Sequence, residues 1–294
     1  MKVLNFGSLN IDYVYEVEHF VTKGETISSH TLQIFPGGKG LNQSIALSKA
    51  GISVYHAGVI GEDGEFLKDL LKESEVDTKY LQKTDKVRNG NAIIQKDENG
   101  DNCIILYNGS NHCITKAMVD KVLSEFQLGD FILLQNEINE VPYIVEQAHK
   151  RGLKVVLNPS PMDQSILEIP LQYVDYFILN EVEAQGLVKK TGSAFELLKA
   201  LQEKFPNAEL ILTLGDKGCI YTGKEGELEQ RAYSVSVVDT TAAGDTFTGY
   251  YLASILNGNT VKEALTIATK ASALAVTRKG ASPSIPTMDE VMEF

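Results

Sequence analysis

The chain contains few cysteines, and their spacing fits neither a cross-link framework nor a metal site. Its 294 residues include three, Cys103, Cys113 and Cys219, an odd number without Cys-x-x-Cys spacing. Neither a disulfide framework nor a zinc site is therefore indicated, and the thiols are expected to remain reduced, as in the cytosol.

Basic residues are also scarce, and a signal sequence and long apolar runs are missing. Lys and Arg number 27 against 39 Asp and Glu, which gives a formal charge of −12 at pH 7. Nucleic acid is not an expected partner, because its phosphates are met by clusters of Lys and Arg. No basic start leads into an apolar core, and no apolar run approaches the length that spans a bilayer. The expected location is the cytoplasm, with no membrane partner.

The chain does have a regular alternation of strand-like and helix-like runs. Hydrophobic residues make up 43% of it, enough to bury a sizeable core. The alternation is typical of βα units around a mostly parallel sheet, and no repeat or long linker interrupts it, so we predict one domain over residues 1–294. Strands are predicted at residues 3–6, 131–134, 154–157, 176–179 and 210–213, and helices near 42–50, 65–74, 140–150, 194–204 and 260–276.

Two regions break this alternation. Residues of about 11–35 and 89–108 have strand propensity and little helical period, and Glu98-Asn99-Gly100-Asp101 is a turn signal within the second region. We predict that these regions form a separate small β element inserted in the domain.

A carboxylate follows a turn of small residues close to a predicted helix. Asp245 comes after Ala242, Ala243 and Gly244, and residues 246–256 have helical spacing. The unpaired amides of a helix start favour anionic oxygen. If a phosphoryl group lies on them, Asp245 can accept a proton from an attacking hydroxyl. The alternative is that Asp245 only caps the helix.

A second glycine-rich segment precedes a helix near the N-terminus. Gly37, Gly38 and Gly40 leave backbone open to a small polar molecule, and Asn42 offers both donors and acceptors, which suits a polyol. The segment fits neither the Walker pattern nor the Rossmann fingerprint. A plain glycine-rich turn before a helix is the alternative.

Together and in this order, the two segments resemble the paired signatures of the PfkB carbohydrate kinase family, most closely its ribokinase branch. The resemblance covers nearly the whole chain. It includes residues 7–12, 37–42, Glu137, 180–183, 213–218, 239–247 and 275–284. It implies an α/β fold, a three-layer α/β/α core with a mostly parallel sheet plus a small β lid made of the two inserted segments. In such proteins the lid covers the sugar and is often shared across a homodimer.

The resemblance also implies roles for particular residues. Asp245 would be the catalytic base, with the amides of Ala242, Ala243 and Gly244 as the anion hole. Sugar contacts are implied for Asn10, Asp12, Gly38, Lys39, Asn42 and Glu137, and nucleotide contacts for Asn180, Thr213, Gly215, Gly218 and Thr269.

Two ions are implied by the same resemblance. Glu183 would contact Mg²⁺ through water, although Asn180 and Glu183 also imitate a capping box. A K⁺ site is implied at Asp239, Thr241, Ala275, Arg278, Gly280 and Ser284, mainly through backbone carbonyls. The alternative for Arg278-Lys279-Gly280 is a basic turn after a helix.

The implied activity is ATP-dependent phosphorylation of the primary hydroxyl of a small sugar, with D-ribose expected to give D-ribose 5-phosphate. Leu41, Thr248 and Tyr250 depart from the ribokinase pattern close to the expected sugar site. Another pentose, a deoxy sugar, a hexose or a nucleoside therefore remains open as the substrate. A catalytically silent sugar-binding regulator is a further alternative, which the retention of Asp245 disfavours.

Overall fold

A twisted nine-stranded sheet runs through the molecule in the computed structural model, which describes residues 1–99 and 101–294. Short, wholly apolar runs make its central strands, since helices cover both faces and leave no face for water. The strands of the structure, in chain order, are β1 (Val3–Phe6), β2 (Asn10–Glu16), β3 (Thr31–Gly37), β4 (Val54–Ile60), β5 (Asp77–Lys83), β6 (Gly90–Lys96), β7 (Asn102–Tyr107), β8 (Phe131–Gln135), β9 (Lys154–Asn158), β10 (Tyr176–Asn180), β11 (Glu209–Thr213), β12 (Cys219–Gly223) and β13 (Gly226–Gln230).

The order of strands across the large sheet is β13-β12-β11-β10-β9-β8-β1-β4-β5. All neighbours pair in parallel except β11 with β12 and β12 with β13. The parallel strands place their carboxyl ends at one edge of the sheet, where open α/β sheets present ligand-binding groups.

Helices form a layer on each face of this sheet. They are α1 (Lys39–Lys49), α2 (Glu65–Glu73), α3 (Lys116–Leu123), α4 (Val141–Lys150), α5 (Glu181–Val188), α6 (Ala194–Lys204), α7 (Ala243–Leu256), α8 (Val261–Ala275) and α9 (Met288–Glu293). One apolar core lies beneath α3, α4, α5 and α6, and a second beneath α1, α2, α7, α8 and α9. Successive side chains of β1 point to opposite faces of the sheet, so Leu4 and Phe6 pack in the first core and Val3 packs in the second. The predicted three-layer α/β/α fold is confirmed. None of the helices in the described ranges is long and apolar enough to cross a membrane.

A second sheet of four strands has the order β3-β2-β6-β7. We call it the small sheet. Its β2 and β6 are parallel, and its outer pairs are antiparallel. These strands come from the two segments predicted as a separate β element. Glu98 and Asn99 lie in a turn between β6 and β7, and Gly100 of that predicted turn lies outside the described residues.

Every strand and helix predicted from the sequence is present, and two helices, α1 and α7, begin three residues earlier than predicted. Helix α1 begins at Lys39 rather than near residue 42. Helix α7 begins at Ala243 rather than at Thr246, because Ala243, Gly244 and Asp245 already have helical geometry. Ala242 is the N-cap, and its φ of 60° is a left-handed conformation that few residues other than glycine adopt.

Helices α1 and α7 approach each other closely at a glycine. A Cβ added to Gly249 would overlap the Cβ of Ala46 and lie 2.9 Å from the amide nitrogen of Leu47. Because Gly249 has no Cβ, α1 and α7 can pack closely. The two glycine-rich motifs at the starts of these helices therefore lie side by side.

Gly249→Ala is expected to lower the free energy of unfolding by about 1–3 kcal/mol, because the added methyl group meets a neighbouring helix that cannot yield. Gly186→Ala in α5 is the matched control. Its Cβ would meet only the movable side chain of Met162, 2.7 Å from Cε, so the gain in helix propensity of about 1 kcal/mol should dominate. Urea denaturation measures both variants, and equal effects would contradict the close-packing argument.

Candidate active site

The start of α7 has amides that are open to a ligand. The Ala243 amide reaches the Thr240 carbonyl at 3.3 Å, but the amides of Gly244 and Asp245 find no backbone acceptor within the described residues. A Cβ added to Gly244 would meet nothing within 4 Å, so there is empty space beside these amides. An anion fits here by geometry and by the helix dipole.

The start of α1 is closed by protein acceptors instead. The Lys39 amide donates to Oε2 of Glu137 at 2.9 Å, the Gly40 amide to Oγ of Ser8 at 3.2 Å, and the Leu41 amide to the Ser8 carbonyl at 2.9 Å. Gly38 caps the helix with a φ of 95°. This helix start therefore has no amide left for phosphate, as expected from its mismatch with the Walker pattern.

Asp245 is a buried carboxylate held by two side-chain amides of α1. Nδ2 of Asn42 donates to Oδ2 at 3.0 Å, and Nε2 of Gln43 donates to Oδ1 at 2.8 Å. Oδ1 of Asn42 is buried and has no hydrogen-bond partner within the described residues. The pair of amides fixes the orientation of the Asp245 carboxylate, and each carboxylate oxygen keeps a further lone pair.

A cavity of about 220 Å³ joins these groups. Lys39, Asn180, Glu183, Gly244 and Asp245 are among the residues that line it. Burial lowers the pKa of Lys39, but the charges of Asp245, Glu137 and Glu183 outweigh burial, so the pKa is raised. The cavity therefore contains a permanent cation next to open amides, which suits a phosphoryl group.

Two acids stand together on the predicted sugar side. Burial and the nearby charge of Glu137 raise the pKa of Asp12 to about 7. The carboxylate of Asp12 occupies the space where a Cβ of Gly37 would stand, which is why that position is a glycine. Burial also raises the pKa of Glu137, against the opposing charge of Lys39 and the hydrogen bond that Ser8 donates to it.

Asn10 is oriented by a second asparagine that the sequence analysis did not identify. Nδ2 of Asn111 donates to Oδ1 of Asn10 at 2.7 Å, and Oδ1 of Asn111 accepts from the Leu9 amide at 3.0 Å. The amide orientation of Asn10 is thereby set, and its Nδ2 remains available to donate to a hydroxyl. Gly38 lies beside it, since a Cβ there would stand 2.9 Å from the Asn10 amide nitrogen.

The predicted nucleotide residues fall into two groups. Thr213 lines the cavity, and Gly215 and Gly218 form the turn after β11 with φ values of 58° and 102°. Thr269 is buried in α8, and its hydroxyl donates to the Leu265 carbonyl at 2.7 Å. The hydroxyl of Thr269 is therefore already satisfied by protein.

Asn180 and Glu183 form the capping box of α5 that their spacing suggested. The Glu183 amide donates to Oδ1 of Asn180 at 2.9 Å, and Glu183 accepts from the Asn180 amide and from its Nδ2, both at 3.0 Å. Burial raises the pKa of Glu183. Both residues also line the cavity. Oε2 of Glu183 accepts a further hydrogen bond from Nδ2 of Asn158 at 3.5 Å, but Oε1 of Glu183 and Oδ1 of Asn180 each retain a second lone pair, so the pair fits a hydrated Mg²⁺ ion.

The residues predicted to bind a monovalent cation lie in the loop before α7, at the end of α8 and in the segment that follows α8. Oδ2 of Asp239 accepts from the Gly280 amide at 3.0 Å, and its Oδ1 accepts from the Thr241 amide at 2.9 Å. The remaining residues are linked to their own neighbours: Ala275 through its carbonyl to the Arg278 amide, Arg278 to Glu290 at 2.7 Å, and Ser284 to the Ala281 carbonyl at 2.7 Å. Oγ of Ser282 is buried without a hydrogen-bond partner in the described part of the chain, and this unsatisfied oxygen fits a nearby cation.

The residues that depart from the ribokinase pattern lie mostly outside the cavity. Leu41 is fully buried in the second core, and Tyr250 is buried with its hydroxyl donating to the Pro286 carbonyl at 2.6 Å. Only Thr248 lines the cavity. Leu41 therefore faces the core rather than the site.

Known proteins share this fold. Residues 1–288 match the family described as pfkB family carbohydrate kinase. The chain is 34% identical over 296 residues to a ribokinase of Haemophilus influenzae, covering 98% of this chain and 96% of that protein. It is 27% identical over 305 residues to a deoxyribokinase of Salmonella typhimurium, covering 100% and 98%. A solved structure of Arabidopsis thaliana ribokinase with ribose and ATP is similar at a TM-score of 0.88 and 28% identity, covering 99% of this chain and 97% of that one.

The chain therefore belongs to the pfkB family of carbohydrate kinases, and it is an ATP-dependent carbohydrate kinase. Within that family, its curated relatives include several ribokinases at 32–34% identity.

Asp12→Asn is expected to stabilise the protein at pH 8 but not at pH 4. A raised pKa means that ionised Asp12 disfavours the native state, so its contribution to stability is lost as pH rises from about 4 through 7. The variant should gain about 1–4 kcal/mol in unfolding free energy at pH 8, while its affinity for sugar falls. Asp85→Asn, at an exposed position, is the control for the change in charge. A gain that is the same at both pH values would contradict the assignment.

Proposed function

We propose that the protein transfers the terminal phosphoryl group of ATP to the primary hydroxyl of a small sugar, with D-ribose as the first candidate and D-ribose 5-phosphate as the product. The observation that carries this proposal is the cavity in which the buried carboxylate of Asp245 stands beside the open amides of α7 and the ammonium of Lys39. The ribokinase relatives, one of them solved with ribose and ATP, support the choice of sugar and donor.

Asp245 is the general base in this proposal. The sugar hydroxyl attacks the terminal phosphorus, its proton passes to a free lone pair of Asp245, and the bond from that phosphorus to the oxygen of ADP breaks. Charge on the transferred group is stabilised by the ammonium of Lys39 and by the anion hole of Ala242, Ala243 and Gly244. Of these amides, that of Gly244 has no competing backbone acceptor within the described ranges.

The sugar would lie between the small sheet and the start of α1. Asp12 and Glu137 accept hydrogen bonds from hydroxyls, Nδ2 of Asn10 donates one, and the unpaired Oδ1 of Asn42 accepts another. Gly38 allows the sugar to approach the backbone closely. Such a set distinguishes sugars by the positions of their hydroxyls, because a mismatched sugar leaves buried polar atoms unpaired.

The nucleotide would extend from the cavity along Asn180, Thr213, Gly215 and Gly218 towards Thr269. Mg²⁺, held through water near Glu183, would supply positive charge to the phosphates when bound. A K⁺ ion in the loops of Asp239 and Gly280 would order the turn that leads into α7. The proposed location of the protein is the cytoplasm.

A different sugar is the main alternative, since the deoxyribokinase relative shares 27% identity along the whole chain. A nucleoside kinase requires an apolar base pocket beneath the small sheet. A silent sugar-binding regulator would bind sugar without releasing ADP.

Asp245→Asn is expected to bind ATP and sugar nearly as well as the wild type but to lose about two to four orders of magnitude in kcat, the usual contribution of a positioned base. A coupled ADP-release assay with MgATP and KCl measures this for ribose, 2-deoxyribose, fructose, tagatose and adenosine. Ribose-dependent turnover that disappears in the variant supports the proposal. Turnover on another compound changes the substrate assignment and keeps the mechanism, whereas sugar binding without any turnover favours the regulator.

Replacement of KCl by choline chloride at equal ionic strength should lower kcat if a K⁺ ion orders the turn that leads into α7.

The small sheet is also proposed as a homodimer interface. Ile34, Ile93 and Ile105 align in one register row across the sheet and are 55, 40 and 60% exposed. Exposed apolar rows of this kind mark interaction surfaces, and β7 is an open edge strand.

Ile105→Glu should convert a dimer into a monomer in light scattering, because a charge would be buried in the apolar interface. Leu128→Glu is the matched control, an apolar residue 82% exposed before β8 and away from the small sheet. A wild-type protein that is already monomeric at assay concentrations would refute the dimer.

A further inference from the structure

Two buried glutamines adjoin the catalytic carboxylate and have no role in the proposed chemistry. Gln43 and Gln135 are 0% and 1% exposed. Nε2 of Gln43 donates to Oδ1 of Asp245 at 2.8 Å and to Oδ1 of Asn158 at 3.1 Å. Its Oε1 accepts from Nε2 of Gln135 at 2.7 Å. Every polar atom of the Gln43 side chain is thus hydrogen-bonded within the protein.

The two ends of the Gln43 amide are not interchangeable. An ionised carboxylate only accepts hydrogen bonds, so Gln43 must face Asp245 with Nε2 and must turn Oε1 away from it. Gln135 supplies a donor at the place where Oε1 then lies. Without that donor, a flipped amide would place Oε1 against the Asp245 carboxylate, and the two oxygens would repel each other.

The orientation of Gln135 is fixed by the large sheet. Gln135 ends β8, and its Nε2 also donates to Oδ1 of Asn5 on β1 at 3.0 Å. Gly7 leaves room for it, since a Cβ there would stand 2.5 Å from Oε1 of Gln135. Asn5 in turn donates to the Gly40 carbonyl at 2.7 Å and to Oγ of Ser44 at 2.8 Å. Oε1 of Gln135 is the one polar atom of the two glutamines that has no hydrogen-bond partner among the described residues, whereas Nε2 of Gln135 meets two acceptors. A flipped Gln135 amide would place that oxygen against Oδ1 of Asn5 and Oε1 of Gln43, so the observed orientation is favoured.

The second contact of Gln43 is anchored in the same way. Asn158 ends β9, and its Nδ2 donates to the Ile178 carbonyl on β10 at 2.9 Å. The Gln43 amide that donates to Asp245 is therefore held by residues at the ends of central strands and not by a loop.

We propose that Gln43 is a positioning residue that holds the Asp245 carboxylate for proton transfer, and that Gln135 acts through Gln43 by fixing which end of its amide faces Asp245. This inference rests on the proposed role of Asp245 as the base. The charged groups that face Asp245 are Lys39, Glu137 and Glu183. Substitution of either glutamine by methionine leaves those charges unchanged. It therefore tests the position of the Asp245 carboxylate and not the electrostatic field of the charged residues around it.

The kinetic test uses Gln43→Met, Gln135→Met, Asp245→Asn and the double variants. Gln43→Met should lower kcat about 10- to 100-fold, with KM for sugar and ATP within about threefold, because misplacement of a reacting group slows the chemical step. Gln135→Met should lower kcat about 3- to 10-fold. Gln43→Met combined with Gln135→Met should be no slower than Gln43→Met alone, and Gln43→Met in the Asp245→Asn background should cost nothing further.

Leu47→Ala is the matched control for lost stability. Leu47 is buried in the same helix α1 within the apolar core and outside the glutamine network. This variant should lose at least as much in its urea midpoint as Gln43→Met, with kcat within about twofold of the wild type.

Two outcomes separate this inference from the proposed function. If Asp245→Asn keeps its kcat, the base assignment is wrong; if it loses kcat and Gln43→Met behaves like Leu47→Ala, the positioning role alone is wrong. Urea unfolding gives a readout that needs no turnover. The midpoint loss of Gln43→Met with Asp245→Asn should be smaller than the sum of the single losses, and additive losses would overturn the coupling of the two residues.

Discussion

The site depends on the contact between α1 and α7, two helices that begin far apart in the chain. Asn42 and Asp245 are 203 residues apart, yet Nδ2 of one donates to Oδ2 of the other at 3.0 Å. Gly249 permits this approach, because any larger side chain would strike Ala46. Close packing thus places a helix start with satisfied amides against one with open amides, and the boundary between them separates the proposed sugar side from the proposed phosphate side.

Lys39, Glu137 and Asp245 at this boundary each have a neighbour of opposite sign or a hydrogen-bond donor. Lys39 is surrounded by the fields of Asp245, Glu137 and Glu183, which keep it protonated despite its burial. Asp12 lacks such a partner among the described residues, and burial raises its pKa to about 7. Unpaired acids cost stability, and they persist where a ligand supplies the missing donors. The unsatisfied Asp12 is accordingly a feature expected of a binding group and not of a core residue.

The sequence predicted the five strands β1, β8, β9, β10 and β11, the major helices and the two motifs, because these strands are continuous apolar runs and the motif residues are chemically distinctive. Strands β4, β5, β12 and β13 of the large sheet were not identified. Asp77–Lys83 and Gly226–Gln230 are largely polar and lack the buried pattern, and His56 and Gly58 interrupt the apolar run of β4. Gln43, Gln135 and Asn111 were also missed. A glutamine or asparagine in a sequence does not indicate which groups its amide will bind, and Gln43 and Gln135 are 92 residues apart. Only the folded sheet edge brings such partners together.

The small sheet carries residues that are proposed to bind the sugar, and this couples movement of the sheet to binding. Asn10 and Asp12 belong to β2, and Gly37 ends β3 directly before Gly38, so the strands proposed to cover the sugar also carry the groups proposed to bind its hydroxyls. Any hinge movement of these strands must carry Asp12 towards or away from Glu137. Binding of the sugar and closure of the small sheet over the site are then coupled in one equilibrium. A ligand that fails to reach Asp12 provides no free energy for closure. Discrimination among sugars would therefore appear as a difference in how often the enzyme shuts, and not only as a difference in how tightly it holds.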